Sequence, residues 1–130
     1  MNFPHPELPP IAITASDSER LSRLIDALAE KYPETTDFLA REIERAQILP
    51  ADEVPPGLVV MGSDVTFRDD ATGEVRRATL VYPAEADIAA GKISVLSPIG
   101  AALIGMSVGH SIETQTPSGG SRTLTVLNVA

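Results

Sequence analysis

A chain of 130 residues, 43% hydrophobic and 22% charged, has room for one domain of ordinary size or a small domain with an appended element. It contains no Cys, which excludes disulfides and thiolate chemistry, and no apolar run approaches the roughly 20 residues that span a bilayer. A net charge of −8 repels phosphate, so direct binding to DNA or RNA is the poorest fit to this composition. The segment Met1-Asn2-Phe3-Pro4-His5-Pro6 has no basic stretch followed by an apolar core, so no signal peptide is expected, and a soluble cytoplasmic protein is. The charge is unevenly shared. Residues 1–56 hold 11 acids against 5 bases, and residues 57–130 hold 7 against 5. The plain reading is a solubilising surface. The sharper one is an acidic N-terminal element that approaches a basic protein surface.

In chain order, Pro4, Pro6, Pro9 and Pro10 predict an extended arm without a helix. Ile11-Ala12-Ile13 reads either as a short strand or as an apolar anchor. Ser16 and Glu19 form a capping-box pattern, and Leu21, Leu24, Ile25 and Leu28 then recur at helical spacing. Pro33 is expected to end this helix near Lys31. A second helix follows from about Glu34 to Gln47, with Phe38, Leu39, Ile43 and Ala46 on its apolar side. Two amphipathic helices joined by a few residues fold back as an antiparallel hairpin, each arm roughly 14–16 residues or about 21–24 Å long.

The breakers from Leu49-Pro50 to Pro55-Pro56-Gly57 mark the boundary between an arm with hairpin, residues 1–52, and a second unit, residues 53–130. There the periodicity changes. Leu58 to Met61, Val65 to Arg68 and Val75 to Tyr82 read as strands, with Asp69 to Glu74 as a hairpin loop. Ala84 to Ala90 reads as a short helix that Gly91 ends. Ile93 to Val95 is a β-branched run that stops at Ser97-Pro98. Ser97 is then the N-cap and Pro98 the first residue of a short helix, which Gly105 terminates. Ser111 to Gln115 and Arg122 to Val129 form a last hairpin around Pro117-Ser118-Gly119-Gly120. About five or six antiparallel strands with two short helices make the unit, and the chain, α+β.

The sequence offers little chemistry of its own. His5 and His110 have no Cys or His partners at metal-ligand spacing, and His110 reads as a loop or surface residue. There is no Walker-type phosphate loop and no nucleophile elbow, so no independent active site and no cofactor are expected. Glu34 and Asp37 lie three residues apart on one helical face near the hairpin tip, where they could share a divalent metal. The simpler reading is that acids in a first helical turn complement the helix dipole.

From about Leu49 to Val129 the chain resembles the C-terminal domain of the Gre transcript-cleavage factors. The resemblance is carried by Gly62-Ser63-Asp64-Val65-Thr66, Leu80-Val81-Tyr82, Glu85-Ala86-Asp87 and Gly91-Lys92-Ile93-Ser94. It continues through Ser97-Pro98-Ile99 and Leu103-Ile104-Gly105 to Val108-Gly109. No piece is specific alone; their order is. Val54-Pro55-Pro56, Phe67-Arg68-Asp69 and Thr79 to Pro83, with the short hairpin, resemble the Rnk (regulator of nucleoside diphosphate kinase) family more closely still.

The resemblance implies an FKBP-like fold for residues 53–130 and binding to bacterial RNA polymerase at the mouth of its secondary channel. The C-terminal domain would dock on the rim, through Ser97, Pro98 and Ile99, while the hairpin points inward. Ile99 packing in the core is the competing reading of that residue. Gre factors hold a catalytic magnesium with acids on a long coiled-coil tip. Here the arms have about half the length needed, so Glu34 and Asp37 should stop short. The resemblance thus implies a non-cleaving occupant of the channel that competes with Gre factors; a monomer is expected. Two rivals stand beside it. One is direct control of a nucleoside diphosphate kinase. The other is prolyl isomerase activity, for which residues 57–130 offer only Phe67 and Tyr82 as aromatic lining.

Overall fold

The computed structural model describes residues 9–115 and 120–130. The expected arm before Pro9 and the turn at Pro117-Ser118-Gly119 lie outside the described residues. A short strand, β1 (Ala12–Thr14), runs straight into helix α1 (Ala15–Leu28). Helix α2 (Pro33–Arg45) packs against α1 and leads into strand β2 (Gln47–Leu49), which pairs in parallel with β1. The chain therefore returns to its starting point, with Gln47 N donating to Ile11 O at 3.0 Å.

Local chemistry explains where these helices differ from expectation. The cap of α1 is Thr14, whose hydroxyl accepts from Asp17 N at 3.1 Å, so the Ser16–Glu19 box is not used. Glu19 instead pairs with Arg23 one turn on. Pro33 does not end α1, which has already stopped at Leu28; it opens α2, where its missing N–H costs nothing. Helix α2 ends at Arg45 because Gln47 is drawn into β2, a strand with no signal in the sequence.

The larger sheet contains β3 (Asp64–Asp69), β4 (Val75–Val81), β5 (Lys92–Ser94), β6 (Ser111–Gln115) and β7 (Ser121–Val129) in the spatial order β5-β4-β3-β7-β6. All pairs are antiparallel except β4–β5, which is parallel. That is a correction to the all-antiparallel expectation. The connection between β4 and β5 makes it possible. In place of one helix from Ala84 to Ala90, two single turns of the tighter 3-10 kind, Pro83–Glu85 and Ile88–Ala90, carry the chain back so that Lys92 starts β5 opposite Thr79 in the last half of β4. The side chain of Asp87 caps the second turn and keeps the two from merging. Leu58 to Met61 is not a strand either. Val59 bonds on both sides to the segment after the last helix, through Val59 N to Met106 O and Gly105 N to Val59 O, and only Leu58 bridges to Ser107.

Helix α3 (Pro98–Leu103) lies against β5 and β6. Its Ala101, Ala102 and Leu103 are buried with Val65, Leu80 and Leu124 of the sheet. Leu21 of α1 and Leu39 of α2 belong to the same buried cluster, so one core runs across the 52/53 boundary. Leu24, Ile25 and Leu28, with Phe38, Ile43 and Ala46, pack partly buried around it, as their helical spacing predicts. Among the described residues no helix is long and apolar enough to cross a membrane.

Candidate functional site

The corner after β5 is built by one serine. Ser97 Oγ donates to Ser94 O at 2.7 Å and accepts from Gly100 N at 3.0 Å, so one hydroxyl ties the end of the strand to the start of the helix. Ser97 N also donates to Ser94 O, at 2.9 Å, and Leu96 N donates to Ser94 Oγ at 3.0 Å. Val95 N, bonded to Val81 O, anchors the turn to β4. Pro98 occupies the first helical position with its ring exposed. Ile99 is half-buried and packs against the core from its edge. Gly100 has no freedom to be anything else, because a Cβ there would overlap the Ser94 carbonyl oxygen. The corner is rigid, and Pro98 is its outward point.

Gly105 does more than stop α3. Its φ of +79° turns the chain so that its carbonyl accepts from Ala12 N at 3.1 Å, and a Cβ there would crowd Ala12 O and Ile11. The corner helix and β1 of the helical pair are thus joined backbone to backbone.

At the other end of the helical pair, Leu28 O accepts from Lys31 N and Tyr32 N, at 3.1 and 2.9 Å, and closes the turn. Tyr32 O accepts from both Thr36 N and Thr36 Oγ1, which starts α2. Glu34 and Asp37 are both exposed in the opening turns of α2. Asp37 pairs with Arg41 at 3.2 Å, with both side chains 69% exposed, and Glu34 has no ion-pair partner among the described residues. The two acids share a face with each other and no third ligand: no group of three or more His, Asp or Glu able to hold a metal occurs among the described residues. His110 lies in the turn before β6, half-buried, and its Nδ1 has no hydrogen-bond partner.

The contacts that join α1 to the second unit escaped the sequence reading. Asp17 Oδ2 accepts from Met61 N at 3.2 Å, and Asp17 Oδ1 accepts from the Tyr82 hydroxyl at 3.5 Å. The Arg20 guanidinium lies 4.1 Å from the centre of the Tyr82 ring. Burial, helped by the Asp17 carboxylate, pushes the Tyr82 hydroxyl up to about 12. A signal existed. Asp17 stands four residues before Leu21, on the face that α1 buries. Glu42 was missed too; it is 4% exposed and is bound by Arg45, which also donates to Pro9 O at 2.6 Å.

This architecture has relatives. A family model described as "Transcription elongation factor, GreA/GreB, C-term" matches residues 54–130. The solved structure of a prokaryotic transcription elongation factor GreA/GreB from Nitrosomonas europaea is 38% identical and superposes with a TM-score of 0.74, over 95% of this chain and 99% of that one. Helical pair, corner and sheet together define a GreA/GreB-type protein. GreA of Beijerinckia indica is 38% identical over 92 residues, which are 71% of this chain but only 58% of that protein. The model named Rnk N-terminus matches residues 9–49, and the regulator of nucleoside diphosphate kinase of Escherichia coli K12 is 40% identical over 93% of this chain and 89% of its own length. The chain belongs to the Rnk family.

Proposed function

We propose that this protein is a cytoplasmic transcription regulator that binds bacterial RNA polymerase, occupies the mouth of the secondary channel without stimulating transcript cleavage, and competes there with Gre factors. The observation that carries this reading is the size of the helical pair. Helices of 14 and 13 residues reach about 20 Å each, while the GreA relative extends well beyond the part it shares with this chain. In the FKBP-like domain that the Gre resemblance implies, the Ser97–Pro98–Ile99 corner docks on the rim. The hairpin then enters the channel with Glu34 at its tip, too short to deliver a metal ligand to the polymerase active site. The charge of the chain supports a protein partner over a nucleic acid. Arg68, Arg76, Arg77 and Arg122 of the sheet domain are each paired with a carboxylate and are poorly placed to release counterions from a phosphate backbone.

A second reading follows from the name of the Escherichia coli relative, regulator of nucleoside diphosphate kinase, taken as direct contact with that enzyme. An effect on kinase level through transcription would suit the same name. Prolyl isomerase activity fits poorly. Phe67 is buried in the core, and the open depression that Tyr82 lines is shared with Arg20 and Arg23 and offers no second aromatic ring.

The test is a titration of labelled protein with purified core polymerase, with a Gre factor as competitor and the kinase in a parallel arm. Binding that weakens with salt and is displaced by the Gre factor is expected. Absence of binding at low ionic strength overturns the proposal, and binding to the kinase alone moves the function to the second reading.

A further inference from the structure

We infer that Ile88 is an apolar docking knob for the polymerase, a second contact point apart from the Ser97–Pro98 corner; this rests on the polymerase-binding reading above. Ile88 is 86% exposed, whereas the next large apolar side chain, Val75, is 55% exposed. Isolated exposed apolar residues are ordinary on protein surfaces. What distinguishes this one is the backbone beneath it, in the connection between β4 and β5. Asp87 N donates to Lys92 O and Lys92 N donates back to Asp87 O, each at 2.9 Å, which clamps the base of the turn. Asp87 Oδ1 accepts from Ala90 N at 3.3 Å, and Ile88 O accepts from Gly91 N at 3.0 Å. Gly91 closes the turn with a φ of 75°.

The isoleucine is therefore held outward by a fixed turn. Ala86, Ala89 and Ala90 beside it are exposed and too short to shelter it. A large apolar side chain kept in water on a preorganised turn gains by entering a socket and loses little entropy in doing so. The flanking charges specify the rim of that socket. Among the exposed charges of the connection the two acids, Glu85 and Asp87, outnumber Lys92, and none of the three takes part in an ion pair among the described residues, so the fitting partner is an apolar pocket bordered mainly by Lys or Arg. A second copy of this chain is a poor occupant, because bringing two knobs together sets Glu85 and Asp87 against their own kind in a chain of net charge −8.

Ile88→Asp and Ile88→Ser alter only an exposed side chain, so both should melt within a few degrees of the native protein. Titrated against core polymerase, Ile88→Asp should bind at least about tenfold more weakly and Ile88→Ser should fall between it and the native chain. Native binding with undiminished Ile88→Asp binding overturns the knob and leaves polymerase binding standing. No binding by the native chain removes the underlying reading as well. Sedimentation that finds a native dimer and an Ile88→Asp monomer overturns the inference by giving the knob to a second copy.

Discussion

The Asp17 carboxylate of α1 accepts a hydrogen bond from the backbone N–H of Met61, 3.2 Å away and 44 residues further along the chain. The same carboxylate faces the Tyr82 hydroxyl, and Arg20 one turn on covers the Tyr82 ring. Without Asp17, Met61 N loses its acceptor in a partly buried site, and α1 loses a first-turn acid that complements its dipole. Asp17→Ala is expected to lower stability by about 1–2 kcal/mol. Asp17→Asn, which keeps an acceptor oxygen, should lose less. Urea unfolding of the two variants checks this, and equal losses would mean that the dipole matters more than the Met61 bond.

Tyr82 makes a prediction at high pH. Its hydroxyl is raised from an ordinary 10.0 to about 12 in the fold, chiefly by burial. The unfolded chain therefore ionises first as pH rises. The stabilisation is fully present below pH 10 and is lost between there and about 12. Tyr82→Phe should flatten the fall in melting temperature across that window, and ultraviolet titration of tyrosinate in the native protein should show the late-ionising ring. On the acid side the signs are opposite. Asp64, hydrogen-bonded by Thr79 and Arg77, and Asp70, by Arg68 and Thr125, lie below their usual value of 3.8, so what they contribute is lost only as pH falls through that lowered range.

Much of this arrangement was legible in the sequence because local rules agreed with one another. Ser97, Pro98 and Gly105 each carry a distinct local signal, and each plays the part that signal assigns. The apolar stripes of α1 and α2 and the strands β3, β4, β6 and β7 follow in the same way from periodicity. What failed to show were features whose cause lies elsewhere in the chain. Strand β2 is three residues long and exists because β1, some 35 positions earlier (Ala12 opposite Gln47), offers it a partner. Leu58 to Met61 has strand composition, but its hydrogen bonds go to separate places: Val59 bonds to Gly105 and Met106, Val60 N to Ser63 Oγ, and Met61 N to Asp17. Burial of Glu42 depends on Arg45 and on the carbonyl of Pro9, and no periodicity encodes that triplet.

For the candidate site, sequence placed both carboxylates on one exposed face of α2, and the spacing of four between Asp37 and Arg41 carries the signal for the ion pair the structure shows. Of those two carboxylates, Glu34 is the one without an ion-pair partner among the described residues. On the reading proposed above, adding the protein to backtracked elongation complexes should produce no increase in transcript cleavage, and an excess should slow cleavage by a Gre factor. Strong stimulation that disappears in Glu34→Ala or Asp37→Ala would show that the helical pair reaches the active site after all.

The corner itself separates into two testable roles. Ser97 is committed to the fold through both its donated and its accepted bond, so Ser97→Ala should cost about 1 kcal/mol of stability, and Ser97→Glu cannot be a silent surface change. Pro98 is different. Its ring is exposed, it gives no hydrogen bond, and the first helical position tolerates other residues. Pro98→Arg should leave the melting temperature nearly unchanged while weakening polymerase binding at least about tenfold, because a rigid, exposed point suits a docking hot spot. Ile99, half-buried against the core, should register in both measurements when truncated to Ala. Calorimetry alongside a polymerase titration distinguishes the three. If Pro98→Arg binds as tightly as the native chain, the docking surface lies elsewhere on the domain, and Ser97 and Ile99 are left with structural roles alone.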